Sequence, residues 1–289
     1  MTKVLVLGST GMLGSAVVEA LKDSKFELLT ASRTSGIRFN AESPDVATLF
    51  ISAGLGPGDY VINCVGLTKS RIDESSPTSR ASAQRLNVDF PAELARVAAL
   101  SGLKVIQVAT DCVYSGLDGG YGESAPHDAV DVYGKTKSLG EIDSDSVMHL
   151  RCSLIGPELG RNSLFFEWVR QQPKGVAISG YTDHRWNGLS SMAFGRVILG
   201  ILTQELFKPG VQHLVPADQV TKDELVRMEL ESLGRHDVIV TSTSSQKSID
   251  RTLSTENPDF NKALFAAAGY SALPTIRQMV DEICADLPN

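Results

Sequence analysis

Cysteine is scarce: Cys64, Cys112, Cys152 and Cys284 are the four present, and no two stand in a Cys-x-x-Cys spacing. That excludes a disulfide scaffold and a thiolate metal site, and the expected state is buried thiols in a reducing compartment. Long hydrophobic runs are missing as well. No apolar stretch approaches the ~20 residues needed to cross a bilayer. Met-Thr-Lys leads straight into a strand pattern, so no signal peptide is expected and the cytoplasm is the expected location. His184 and His213 show no ligand spacing, so no metal site is expected. Neither sign of charge dominates: 27 Lys and Arg stand against 34 Asp and Glu, a net charge of -7. This mildly acidic balance argues against a general nucleic-acid or anionic-membrane surface as a partner. There is no internal repeat and no disordered linker.

What is present is an ordinary globular composition, 42% hydrophobic over 289 residues, enough for one large domain or a domain with a smaller lobe. Apolar runs at 4–7, 26–31, 60–65, 105–109 and 148–155 read as strands. Between them, 13–21, 45–53, 81–101 (with an early Pro91) and 132–141 read as helices. Such alternation implies an α/β, Rossmann-type, doubly wound parallel sheet. Beyond Ile155 the pattern loosens. Helices are expected over 163–171, 192–206, 220–233 and 275–286, a strand over 211–215, and a loop over the Ser/Thr-rich 241–258. The reading is a nucleotide-binding domain over 1–155, to which 186–215 returns. A smaller C-terminal substrate-binding lobe comprises 156–185 and 216–289.

Two motifs carry the chemistry. Gly8-Ser-Thr-Gly11-Met-Leu-Gly14 follows a strand and opens a helix, the context that makes a glycine loop a dinucleotide site. The first glycine allows a tight turn, the second a close approach of backbone N–H groups to a pyrophosphate, and the third close helix–strand packing. Gly8, Thr10, Gly11, Met12, Leu13 and Gly14 are therefore candidate cofactor residues. The second strand ends Thr30-Ala-Ser32-Arg33 with no acid. Arg33 suits a 2′-phosphate and Ser32 can donate to it, so NADPH is favoured and NADH is the alternative. Cys64, Val65 and Gly66, after the third strand, are expected to pass the adenosine side. The second motif is Tyr133-Gly-Lys-Thr-Lys137. Tyrosine and lysine one helical turn apart share a face, and the ammonium is expected to pull the phenol below its usual pKa of ~10. Such a tyrosine can exchange a proton beside a hydride transfer. Thr110, ending the fourth strand, is expected nearby.

The chain resembles the extended short-chain dehydrogenase/reductase family, and more closely its dTDP-4-dehydrorhamnose reductase group of nucleotide-sugar reductases. The resemblance rests on 4–14, on Leu86-Asn-Val-Asp-Phe-Pro91, on Thr110-Asp-Cys-Val-Tyr-Ser-Gly116, on Tyr121-Gly-Glu123 and on 133–141. It covers the first ~155 residues well and the remainder loosely. It implies a catalytic set of Thr110, Tyr133 and Lys137, a supporting Asn87, and NADPH reducing the C4 carbonyl of a nucleotide-linked sugar. Two departures bear on the substrate: Cys112 stands where the group has an aromatic residue, and 181–188 replaces a pocket-shaping segment.

For the sugar side, Asp111 and Cys112 adjoin Thr110. Arg251, Trp186 and Asn187 are candidate substrate residues, with Arg151, Arg161 and Arg185 as further cations and Trp168 and Tyr181 as further aromatics. Arginine suits a diphosphate. A structural role for Arg151 and a core or interface role for Trp168 stay open. Two other functions stay open too: an epimerase or dehydratase with tightly held NAD, and a non-catalytic regulatory subunit of the same fold. A homodimer through helices flanking the sheet is typical of the resemblance.

Overall fold

The strand β1 (Lys3–Leu7) alternates between two apolar layers. Val4 and Val6 join one core cluster, Leu5 and Leu7 the other. A strand covered on both faces has no solvent side, which is why its sequence carries no polar alternation. In the computed structural model, which describes residues 1–158 and 164–287, β1 lies inside a seven-stranded sheet. The others are β2 (Glu27–Ser32), β3 (Ile37–Arg38), β4 (Tyr60–Asn63), β5 (Lys104–Thr110), β6 (Val147–Cys152) and the strand Gly210–His213. Every pairing in it is parallel, in the order Gly210–His213, β6, β5, β4, β1, β2, β3. The chain runs outward from β1 to β3 and then returns to place β4 on the other side of β1. Strand order therefore reverses between β1 and β4, and the crevice beyond their carboxyl ends is the place for a ligand.

Helix α1 (Met12–Leu21) covers one face together with the helices Ser191–Thr203 and Pro258–Ala267. The other face is covered by α2 (Val46–Ser52) and the helix Phe90–Ser101. The expected helix over 81–101 is longer and interrupted. It comprises α3 (Pro77–Gln84), a π turn over Arg85–Asp89, and α4 (Phe90–Ser101). Pro91 has no N–H to offer the Asn87 carbonyl, and the wider turn absorbs the break.

Beyond β6 three expectations are corrected. The fifth strand stops at Cys152, and Leu154–Ile155 forms a separate pair with Leu189–Ser190. The helix expected from Val220 begins after a two-residue strand, because Thr221 caps it in a capping box with Glu224. The segment expected to be loop contains Ile249–Asp250 and most of Ile239–Thr243, a strand parallel to Ala177–Tyr181. Its β-branched residues suit a pleated edge although their polarity suggests a loop. Sequence patterning also missed the strands Ala177–Tyr181 and His184–Trp186 and the helix Pro258–Ala267. Arg161 and Ser163 lie outside the described residues. Among the described residues, no helix is long and apolar enough to cross a membrane.

Candidate active site

The carboxyl ends of β1, β2, β4, β5 and β6 surround a cavity of about 610 Å³. Gly8, Thr10, Gly11, Met12 and Leu13 line one wall. The Gly8 amide donates to Ala31 O at 3.0 Å and the Gly11 amide to Gly8 O at 3.0 Å, which curls the loop beneath α1. Gly14 does not line the cavity. A Cβ there would sit 2.1 Å from Gly8 O, so it is the contact that lets α1 pack on the loop. Gly11 precedes α1 and no side chain caps the helix. Its first N–H groups are left to face an anion, and the helix dipole favours one.

Arg33 and Ser32 line the same cavity at the end of β2. Arg33 is exposed and forms no ion pair among the described residues. The Ser32 hydroxyl is already engaged, donating to Ser35 O at 2.9 Å and accepting from the Ser35 amide at 2.9 Å. It shapes the turn that presents Arg33, where the sequence suggested it as a phosphate donor. Cys64, Val65 and Gly66 line the wall between Gly8 and Thr110. Sequence reasoning missed Phe39, Asn40, Ala41 and Glu42, which join the Arg33 end because the Phe39 amide donates to Ser32 O at 2.9 Å. It also missed Lys69, Arg71 and Phe165 at the rim. No local pattern marks these positions, since the two-residue β3 carries that chain back to β2.

Helix α5 (Val132–Leu139) carries Tyr133 and Lys137. Asp131 caps it, accepting from the Gly134 amide at 2.7 Å, and is itself held by Lys69 Nζ at 2.7 Å. A Cβ at Gly134 would lie 2.2 Å from Cys112 O. Glycine at this position is what brings α5 against the end of β5. Asn87 ties the loop after β4 to the same helix. Its Oδ1 accepts from the Leu67 amide at 2.8 Å and its Nδ2 donates to Thr136 Oγ1 at 3.1 Å. Tyr133, Lys137, Thr110, Asp111 and Cys112 thus line one end of the cavity.

The electrostatics there differ from expectation. Burial pushes the Tyr133 phenol up, Cys112, Asp111 and Asp131 add to the rise, and a hydrogen bond with Thr110 opposes it. Burial lowers Lys137 to about 8, with Glu141 opposing, and its ammonium donates to Val108 O at 2.8 Å. The expected lowering of the tyrosine is therefore corrected. Desolvation of the phenolate dominates, and Tyr133 is a neutral, proton-bearing phenol. Burial likewise raises Asp111, against Arg251 and Thr110, and pushes the Cys112 thiol up to about 12.

Three candidates for the sugar side lie outside the cavity lining. Trp186 is buried in the core and donates from Nε1 to Ser153 Oγ at 2.8 Å. Asn187 clamps Leu253, donating to its carbonyl at 2.7 Å and accepting from its amide at 2.9 Å. Arg251 donates to Tyr114 O at 2.8 Å and Ser115 O at 3.2 Å, so it holds the loop after β5 and acts on Asp111 only through its charge. Each is engaged by protein groups distant in sequence. Trp168 is half-exposed and Tyr181 stacks on His184.

Arg151 is a structural hub. Fully buried, it pairs through Nε and Nη2 with Glu141 and donates from Nη1 to Tyr114 Oη at 2.7 Å. It also meets Nε2 of His213 at 2.7 Å and of His127 at 2.9 Å. Both imidazoles accept from the guanidinium and must be neutral. Burial, then Arg151, hold both below the usual histidine range, against Glu141. A group whose folded pKa is depressed loses its contribution as pH falls. The expected result is that the two imidazoles' contribution to the thermal midpoint is complete above pH ~6.5, the unfolded imidazole value, and is lost below it. Calorimetry across that range checks it, and a midpoint unchanged on acidification would contradict neutral imidazoles.

The family model for the RmlD substrate binding domain matches residues 1–288. The chain belongs to this family. Among curated relatives of this RmlD-family protein, methionine adenosyltransferase 2 subunit beta of Xenopus laevis is 33% identical over 48% of the chain and 41% of the relative. The dTDP-4-dehydrorhamnose reductase of Mycobacterium tuberculosis is 31% identical over 48% of the chain and 44% of the relative. The chain thus aligns with less than half the length of these relatives. In fold, it is similar to the Bacillus anthracis dTDP-4-dehydrorhamnose reductase solved with NADP, with TM-score 0.79, 17% identity, and coverage of 99% and 100% of the two chains. MoeE5, solved with UDP-glucose and NAD, gives TM-score 0.75 at 20% identity over 98% and 97%.

Proposed function

We propose that this RmlD-family protein is an NADPH-dependent reductase of the C4 keto group of a nucleotide-linked 4-keto-6-deoxy sugar, dTDP- or UDP-linked, in deoxysugar or surface-polysaccharide biosynthesis. The observation that carries the reading is one cavity with two chemically distinct ends. At one end lie the uncapped N-terminus of α1 and the exposed Arg33, and at the other Thr110, Tyr133 and Lys137. A dinucleotide fits these residues. The Gly8–Gly14 loop would receive the pyrophosphate, Arg33 the 2′-phosphate and Cys64–Gly66 the adenosine side. When bound, the dinucleotide supplies the hydride. The chain's own residues do the rest. Thr110 orients the carbonyl oxygen, and Tyr133 Oη gives that oxygen a proton. Lys137, half-buried and charged below pH ~8, favours the phenolate left behind.

NADPH oxidation, followed by absorbance against a panel of dTDP-, UDP- and GDP-linked 4-keto-6-deoxy sugars, tests the reading. Turnover with one of them supports it and identifies the nucleotide. Silence across the panel with NADPH bound rejects this substrate class. Arg33→Ala is expected to weaken NADPH by roughly tenfold or more, the loss of a charge-assisted contact, and NADH much less. Equal losses would remove Arg33 as the phosphate reader.

A second reading is favoured by the relatives named as subunit beta of methionine adenosyltransferase 2. On it the chain keeps the fold and regulates a partner enzyme. Turnover excludes it as the sole role. The epimerase or dehydratase reading predicts NAD that stays with the protein through purification, where the reductase exchanges its cofactor.

A further inference from the structure

Beneath the cavity lies a buried polar pair that the chemistry above does not use. Asn63 ends β4 and stands opposite Gln107 on β5. They are 0% and 3% exposed. Two residues back, Val61 and Val105 occupy the same sheet face and belong to its apolar core. Amides in such a layer are costly unless each polar atom finds a partner. Here each does. The Val65 amide donates to Asn63 Oδ1 at 3.0 Å. Asn63 Nδ2 donates to Gln107 Oε1 at 2.7 Å. Gln107 Nε2 donates to Val108 O at 3.2 Å, and Lys137 Nζ donates to the same oxygen at 2.8 Å. The bonds form one line from the 64–66 loop, which lines the cavity, to the ammonium on α5.

We propose that Gln107 is a positioning residue which, with Asn63, couples the 64–66 loop to the Lys137 ammonium through the shared Val108 carbonyl. Its consequence for the reaction rests on the reductase reading above. Two donors on one oxygen each reduce the electron density available to the other. Gln107 therefore fixes where Lys137 sits while loosening its hold on Val108, leaving the ammonium free to turn toward a ligand. At the other end, Asn63 sets the Val65 amide and with it the loop beside Gly8. An apolar pair at these positions would keep the sheet face intact without linking the two. The charged and titratable groups facing Lys137 are Glu141 one turn on, Tyr133 one turn back and His149 on β6. Substituting Gln107 alters none of them.

Gln107→Met removes both amide bonds and keeps the volume, and N63L/Q107L removes both side-chain partners, so that no buried side-chain amide is orphaned while the Val65 amide loses its acceptor. The full chain, with lysine Cε labelled with 13C, is titrated without ligand, and the Lys137 resonance is identified by its loss in Lys137→Arg. NADPH affinity is then measured by fluorescence. In both variants the Lys137 midpoint is expected to rise by about 0.5 pH unit or more, because Val108 O now serves one donor. NADPH is expected to bind about threefold or more weaker, as one hydrogen bond at the loop is loosened. Unchanged values at both ends, or a change at one end only, overturn the coupling. Failure of the unaltered protein to bind NADPH overturns the dinucleotide reading instead, independently of the Lys137 midpoint.

Discussion

Tyr133→Phe is expected to lower kcat by roughly 10²–10⁴-fold, the usual worth of a positioned general acid, while NADPH binds as before. The ring keeps its place in the cavity wall, so only the hydroxyl is lost. Burial keeps that hydroxyl protonated in the free protein, and the Thr110 side chain lines the same end of the cavity. It is thus loaded for the reductive direction, in which an alkoxide must receive a proton as it forms. The measurement is NADPH oxidation with whichever sugar the panel identifies, beside a fluorescence titration of NADPH. Turnover at the unaltered rate would remove Tyr133 as proton donor. Loss of NADPH binding would mean that the substitution disturbs the cavity, and would transfer the effect to cofactor geometry.

Arg151→Met is expected to destabilise the fold by about 3–5 kcal/mol, because it leaves the Glu141 carboxylate in a buried site without its cation. For a chain of this size that is a fall in Tm on the order of 10 °C. The guanidinium joins β6 to Glu141 just beyond α5, to Tyr114 after β5, and to His127 and His213. Through His127 Nδ1 it also reaches Ser138 on α5, at 2.7 Å. The network is the far anchor of the helix that carries Tyr133 and Lys137. Arg151→Met combined with Glu141→Gln should recover part of the loss, since no buried charge remains. Calorimetry of the single and double variants decides this. A single variant as stable as the unaltered protein would show that the hub contributes only packing.

The parallel sheet, the glycine loop with its helix, and the Tyr133–Lys137 pair could be read along the chain, because each depends on spacing within a few residues. A strand covered on both faces is apolar throughout, a pyrophosphate loop needs glycine at set intervals, and residues four apart share a helix face. Partners and burial have no such local signature. Arg251, Trp186 and Asn187 have the chemistry of ligand-binding side chains, yet backbone groups and Ser153, distant in sequence, engage all three. Arg151 looked like a cation for a phosphate until Glu141 and two histidines closed around it. The direction of the Tyr133 shift was likewise a tertiary matter. Spacing placed an ammonium one turn away and suggested a lowered pKa, but desolvation of the phenolate depends on what the whole fold packs over it, and that is the larger effect. Order along the chain therefore carried the elements and the motif, and the folded molecule alone decided which polar groups bind one another and which are left to face the cavity.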